Sequence, residues 1–266
     1  MRSLVLTMTD FHYGKHTGSY NIERAIDTLW AIIPQLEPHL KGVDHLLIAK
    51  LGDMVDADEI YPSQSYHTDE AASYARKQVS QLTGVAKSWL STLAQTVPWI
   101  EVHGVLGNHG RGGRFTHEAN NWDLQYYDSL RWACDSLDNV GVDFSEKFYG
   151  IMSVQDLKFL LYHGYSIKMY NRIPYYGMED RIKGWSKVLD FDHALFGHFH
   201  TFGLSSWNGI QTFLSGTSVT DDEWALEQFG KLGENKWWAL MVEDNEILYH
   251  IPIDVGGLPD DLQAAG

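Results

Sequence analysis

The chain has 266 residues, 44% of them hydrophobic, with 24 glycines as turn punctuation, which is enough to bury a large α/β core and too apolar for a disordered chain. Its formal charge of −15 at pH 7 opposes a broad, non-specific nucleic-acid surface, which draws its affinity from clustered Lys and Arg. A lone cysteine, Cys134, cannot pair within the chain, and no apolar run suits a signal peptide or approaches the roughly 20 residues of a membrane span. The expectation is a soluble cytoplasmic protein with no membrane contact.

Ser3–Thr9 reads as a first buried strand, followed by a loop carrying Asp10, His12 and Gly14. Asn21 is placed to cap a helix over Ile22–Leu36, which Pro34 bends or shortens. His45–Leu51 is a second strand and runs into Gly52-Asp53-Met54-Val55-Asp56. Between Asp69 and Thr96, Ala75, Val79, Leu82, Ala86, Trp89 and Leu93 alternate at spacings of four and three, predicting a long amphipathic helix. Trp99–Val105 is a third strand and precedes Gly107-Asn108-His109, and Asn120 or Asn121 is placed to cap a helix ending near Leu137.

Beyond that point the pattern turns to short strands: Phe148–Met152, Leu157–Tyr162, Ala194–Phe196, Thr201–Trp207, Ile210–Ser215, Trp237–Val242 and Glu246–Ile253. Asn208-Gly209 is a type I′ hairpin signal, and Asp244-Asn245 marks another turn. An alternating first half and a β-rich second half predict two sheets face to face with helices outside. We expect one domain over 1–266, with insertions at about 110–137, 165–187 and 217–235.

Five short motifs each follow an apolar run, so their side chains project from strand ends toward one edge of the fold, where α/β proteins place their chemistry. The candidate ligands are carboxylates, an amide oxygen and imidazoles. With no thiolate among them, the set suits Mn²⁺, Fe or Zn²⁺ rather than copper or a cluster. In order, Asp10-Phe11-His12, Gly52-Asp53-Met54-Val55-Asp56, Gly107-Asn108-His109, His163 and Gly197-His198-Phe199-His200 resemble the calcineurin-like metallophosphoesterases, over about three quarters of the chain.

The resemblance implies a four-layer αββα sandwich of two mixed β-sheets flanked by helices. It also implies two divalent ions, manganese being the first choice. Asp10, His12 and His200 would hold one ion and Asn108, His163 and His198 the other, with Asp53 bridging both. His109, oriented by Asp56, would stand beside the substrate phosphate as the leaving-group or transition-state residue. The implied reaction is phosphoester hydrolysis without a covalent enzyme intermediate. One departure is plain: an acidic residue usually follows GNH, and here Gly110 stands there.

The substrate is less legible. Arg111 and Arg114 in a glycine-rich loop could clamp a phosphate oxygen or belong to a solvated turn. Between Tyr165 and Lys187, the bases Lys168, Arg172, Arg181, Lys183 and Lys187 alternate with aromatics, which suits a single-stranded nucleic acid or nucleotide, or else a solvated loop or subunit contact. Trp122, Tyr126, Tyr127 and Trp132 read as core, with Tyr126 or Tyr127 facing the cleft as the alternative, and Asp221–Trp238 as a lid or dimer contact. His39, His45, His67 and His193 read as surface or hydrogen-bonded residues.

Within the family the chain looks most like the DNA repair exonucleases, including small phage-type members. A phosphodiesterase or exonuclease on DNA or other nucleic acid is therefore the first expectation. A phosphatase or phosphodiesterase for nucleotides or another small phosphorylated metabolite is the alternative that the negative charge favours. A non-catalytic scaffold would be expected to have lost ligands, and none is missing. A homo-oligomer is left open.

Overall fold

The computed structural model describes residues 1–61, 64–113, 115–169, 174–219, 221 and 233–256. β1 (Arg2–Met8) leads through a loop into α1 (Ile22–Leu40), whose cap Asn21 accepts from Arg24 N at 2.8 Å. The helix runs through Pro34 and Pro38 instead of stopping near Leu36. Both prolines stand on its exposed face, where the carbonyls they leave unpaired reach water. Its buried stripe of Ala25, Leu29, Ile32, Leu36 and Leu40 is uninterrupted.

After β2 (His45–Lys50), all six residues of the expected periodicity are buried along α2 (Ala75–Leu93). That helix starts later than Asp69 because Asp69 caps a separate 3-10 turn, Glu70–Ala72. The Asp69 carboxylate accepts from Ala71 N at 2.8 Å and from Ile22 N at 3.2 Å, so it ties the turn to the start of α1. β3 (Trp99–Gly104) and α3 (Trp122–Cys134) follow, with Asn121 rather than Asn120 as the cap. The sequence reading missed β4 (Val140–Phe144), a partly exposed edge strand.

The second half adds β5 (Tyr149–Val154), β6 (Leu157–Tyr162), α4 (Tyr175–Trp185), β7 (His193–Phe196), β8 (Gly203–Trp207), β9 (Ile210–Leu214), β10 (Lys236–Glu243) and β11 (Glu246–Asp254). The basic segment after His163 is thus partly a helix, α4, which buries Met178 and Ile182. Both tight turns hold two residues at positive φ, Asn208 (53°) with Gly209 (84°) and Asp244 (53°) with Asn245 (63°), as type I′ hairpins require.

One sheet has the order β11-β10-β1-β2-β3-β4, the other β5-β6-β7-β9-β8, and each mixes parallel and antiparallel pairs. Strand periodicity divides the core. Val5, Leu47 and Ala49 meet Phe159, Leu161, Leu195 and Phe213 between the sheets. Leu4, Leu6, Leu46 and Ile48 instead pack with Leu29, Ile32, Val79 and Leu82 of α1 and α2. On the far side Leu160, Ala194 and Phe196 pack with Met178 and Ile182 of α4. Each fully buried Leu, Ile or Phe contributes about 2 kcal/mol of transfer free energy. The result is the four-layer αββα sandwich that the resemblance implies. No helix among the described residues is long and apolar enough to cross a membrane.

Parallel pairing aligns the loops. Met8 pairs with Lys50 and Lys50 with Gly104, so the segments after β1, β2 and β3 leave one sheet at the same edge. Tyr162 pairs with Phe196, so the segments after β6 and β7 leave the second sheet together.

Candidate metal centre

The loops at that edge bring Asp10, His12 and His200 into one group and Asp53, His163 and His198 into a second, the candidate ligand atoms within each lying no more than 4.8 Å apart. In the first, Asp10 Oδ1 lies 3.8 Å from His12 Nε2 and 3.2 Å from His200 Nε2. In the second, His163 Nε2 lies 3.1 Å from Asp53 Oδ2 and 2.8 Å from Asn108 Oδ1. The groups adjoin, since His198 N of the second donates to Asp10 Oδ2 of the first at 2.8 Å.

Asp10, Asp53, His163 and His12 are each aimed by a bond to the other polar atom of the side chain. Asp10 Oδ2 accepts from Thr9 Oγ1 at 2.6 Å and His198 N at 2.8 Å, leaving Oδ1 toward the histidines. Asp53 Oδ1 accepts from His109 N at 2.8 Å, leaving Oδ2 toward His163. His163 Nδ1 donates to Leu51 O at 2.8 Å, and His12 Nδ1 to Asp56 Oδ1 at 3.1 Å, so both rings present Nε2. Asp56 Oδ1 also receives His109 Nδ1 at 3.0 Å. One carboxylate thus orients a ligand histidine and the histidine beside it.

Within this site Asp10 Oδ1 and His12 Nε2 are buried without a well-formed hydrogen bond, Asp10 Oδ1 having only the ion-pair approaches of His12 and His200. Burying a carboxylate oxygen beside an imidazole nitrogen in this state costs several kcal/mol without a cation. The donors therefore fit divalent metal, with Asp10, His12 and His200 able to hold one ion and Asp53, Asn108, His163 and His198 another.

The backbone here is held in a conformation L-residues avoid. Asp10 (φ 48°), His12 (46°), Asp53 (52°), His198 (71°) and His200 (49°) all lie in the left-handed region. Such residues persist only where surrounding bonds over-determine them, and they cluster at functional sites. Gly52 has φ 93°, and a Cβ on it would stand 2.6 Å from Gly107 N, so the two central loops touch backbone to backbone.

Charges at the site are strongly perturbed. Burial opposes protonation of His163, but the charge and hydrogen bond of Asp53 outweigh it and raise the ring to about 9. His198 falls to about 3 through burial and the nearby His163. Burial also opposes a charged His109, yet Asp53 and Asp56 raise it above its ordinary value. Burial pushes Asp56 up, while hydrogen bonds from His109 and His12 hold it well below the usual carboxylate range.

Sequence reasoning missed Asp123. Fully buried in the first turn of α3, it accepts from Asp53 N (2.9 Å) and Gly107 N (2.8 Å) through Oδ2, and from Met54 N (2.9 Å) through Oδ1. One carboxylate therefore clamps both central loops. Burial and the Asp53 charge raise it to about 6, which leaves it ionised at neutral pH. Its neighbour Asn121 donates to Gly107 O at 2.8 Å. A Cβ at Gly110 would meet Asn121 Oδ1 at 2.5 Å, so α3 has taken the space that an acidic side chain after GNH would need. Only the cap at Asn121 was legible; nothing local distinguishes Asp123 from any first-turn acid.

The candidate substrate residues are more dispersed. Arg111 donates from Nε to Asn108 O at 3.0 Å and from Nη2 to Tyr61 OH at 3.4 Å, which joins it to the metal loop. Lys168 is exposed and lines a groove of about 450 Å³ with Arg181 and Trp185. Arg114 and Arg172 lie outside the described residues, as does most of the expected lid over Asp221–Trp238. Tyr126 and Tyr127 are core residues, Tyr127 OH donating to Val105 O at 2.9 Å. Trp132 departs from the core reading at 78% exposure, because it falls off the buried stripe of Leu124, Tyr127, Leu130 and Cys134.

No family model matches the chain, and no curated protein does. Among solved structures it is similar to an archaeal phosphodiesterase (14% identity, 94% of this chain and 99% of that one, TM-score 0.42). It is also similar to the zinc complex of Vps29 from Entamoeba histolytica (10% identity, 95% and 99%, TM-score 0.39). A third is a hypothetical protein from Pyrococcus horikoshii (9% identity, 99% and 91%, TM-score 0.47). Likeness at this level carries no argument about chemistry, which is drawn from the motifs and geometry of this chain.

Proposed function

We propose that the protein is a phosphoester hydrolase of the calcineurin-like metallophosphoesterase kind, working with two divalent ions. The observation that carries this reading is the convergence of two His/Asp groups from four separated motifs, joined by Asn108 of a fifth, with two buried atoms of the first group lacking a hydrogen bond. A pair of ions bound there would supply Lewis acidity toward phosphoryl oxygens and lower the pKa of a bound water toward neutrality. Manganese is the first choice, and the donor set also admits Fe or Zn²⁺.

Asp10, His12 and His200 hold one side of the site, and Asn108, His163 and His198 the other, with Asp53 between. His109 faces the leaving group. Its Nδ1–H is tied to Asp56, its ring keeps 22% exposure, and its pKa is raised. It is thus placed to hold a proton on Nε2 and to pass it to the departing alkoxide oxygen as the P–O bond breaks. Water provides the oxygen of the new P–O bond, so no covalent enzyme intermediate forms.

A nucleic-acid phosphodiester, cleaved as by an exonuclease, is the preferred substrate class, supported by the basic and aromatic residues around α4. The second reading, a nucleotide or other small phosphorylated metabolite, is favoured by the charge of −15. The test supplies Mn²⁺, Fe²⁺ or Zn²⁺ in turn and measures release from labelled single- and double-stranded DNA, dinucleotides, cyclic nucleotides and monoesters. Nucleotide release from DNA supports the first reading, and activity confined to small monoesters rejects it. Inactivity on every substrate with every ion rejects the hydrolase.

A further inference from the structure

The rim next to His109 is built from flat groups. The Tyr61 ring centre lies 4.9 Å from that of His109, and Tyr61 retains 39% exposure. Its hydroxyl accepts from Asn108 Nδ2 at 2.8 Å, which leaves Asn108 Oδ1 turned to His163. Tyr61 is therefore fixed to a candidate metal ligand while one part of it stays open. Arg111 completes the rim: it donates to Asn108 O and Tyr61 OH, and its guanidinium lies 5.3 Å over the ring of Tyr165.

The residue that protonates the leaving oxygen must stand beside the leaving group, so what flanks His109 meets that group as it departs. A methyl or glycerol leaving group would make little of an exposed tyrosine ring. A nucleobase has a π-face of matching size and gains stacking free energy from it. The Arg111 plane, held by two hydrogen bonds and a ring, can add a cation–π contact without having to order on binding.

Resting on the hydrolase reading, we propose that Tyr61, with the Arg111–Tyr165 stack, forms the leaving-group subsite and takes a nucleoside by stacking. Tyr61 then determines specificity, in addition to any support it gives Asn108. The two roles separate by substitution. Tyr61→Phe removes the bond to Asn108 and keeps the ring, Tyr61→Leu removes both, and Tyr61→Trp restores a larger π-face without the hydroxyl.

The experiment titrates Mn²⁺-loaded wild type and the three variants calorimetrically with thymidine 5′-monophosphate and with methyl phosphate, which share the phosphate and differ in the esterified group. Wild type is expected to prefer the thymidine ester by about tenfold, as one base stacked on an aromatic side chain provides. Phe and Trp variants keep that preference. The Leu variant loses most of it while its affinity for methyl phosphate stays within about twofold of the Phe variant's, which lacks the same bond to Asn108. Equal wild-type affinity for the two ligands overturns the subsite, and so does a Leu variant that weakens both alike or a Phe variant that loses the preference. Hydrolysis of bis(p-nitrophenyl) phosphate by wild type is measured separately. Its failure counts against the hydrolase, while the titration still decides whether the rim takes a nucleoside.

Discussion

Lys50 is a costly side chain in the core, and replacing it with methionine should stabilise the protein. It ends β2 on the helix side, fully enclosed, with its Nζ 3.8 Å from Met8 Sδ, 3.8 Å from Met54 Sδ and 5.3 Å from the ring centre of Tyr126. It borders a cavity of about 10 Å³, near which Trp89 Nε1 and Tyr126 OH also lack partners. Burial, opposed by the more distant Asp123, lowers the ammonium from 10.5 to about 7. The unfolded chain therefore holds one more proton than the native protein between about pH 7 and 10.5, and stability rises with pH across that window. Below it both states are protonated and the whole penalty is present, on the order of 5 kcal/mol at about 1.4 kcal/mol per tenfold in proton affinity. Integrated from pH 6 to pH 9, the penalty shrinks by roughly 3 kcal/mol.

Lys50→Met keeps the volume and removes the charge, so any packing change it brings is the same at both pH values. Urea unfolding at pH 6 and pH 9 should show the variant more stable than wild type at both, with its advantage larger at pH 6 by roughly 3 kcal/mol. An advantage that does not change with pH would mean that Lys50 keeps an ordinary pKa in the native protein, and the reasoning from its burial would fall.

His109→Ala should cut turnover at least about a hundredfold while leaving bound metal nearly intact, whereas Asp53→Ala should abolish both. Elemental analysis beside the rate measurement checks this, and equal metal loss in the two variants contradicts the roles assigned. Asp123→Asn turns an NH₂ group toward amides that need an acceptor. Metal affinity should fall about 10- to 100-fold with far-UV circular dichroism unchanged, and unaltered affinity would show that the clamp does not set the ligand geometry. In the metal-free protein His163 holds its proton against Asp53, and an arriving ion must displace it. Metal affinity should therefore weaken as pH falls from about 9. Calorimetry in buffers of different ionisation heat should detect proton release, whose absence at pH 7 would refute the assignment.

What the sequence made legible was local. The six positions of α2 lie on one face because a helix repeats within four residues, and Asn208-Gly209 specifies its turn through backbone freedom alone. The metal motifs were readable for the same reason, each being two to five adjacent residues at a strand end. α4 escaped notice because it buries only Met178 and Ile182, and β4 because an edge strand needs little apolar patterning. Pro34 misled because its effect depends on which face meets water, and Trp132 because its place on the helix decides its exposure. Asp123 lies 70 residues from the Asp53 amide it accepts. Contacts of that kind are fixed by parallel strand register and loop geometry, which no short window of sequence encodes.

The left-handed backbone at Asp10, His12, Asp53, His198 and His200 means that the fold itself, through bonds such as those made by Asp123, sustains a conformational cost of about 1–3 kcal/mol per residue. The cradle accordingly takes its shape from the chain, and these five residues already hold their backbone conformation before an ion arrives. Uptake then asks for the ion's dehydration and the loss of the His163 proton rather than for folding, and chelation should be a reversible exchange instead of a collapse of the surrounding sheets.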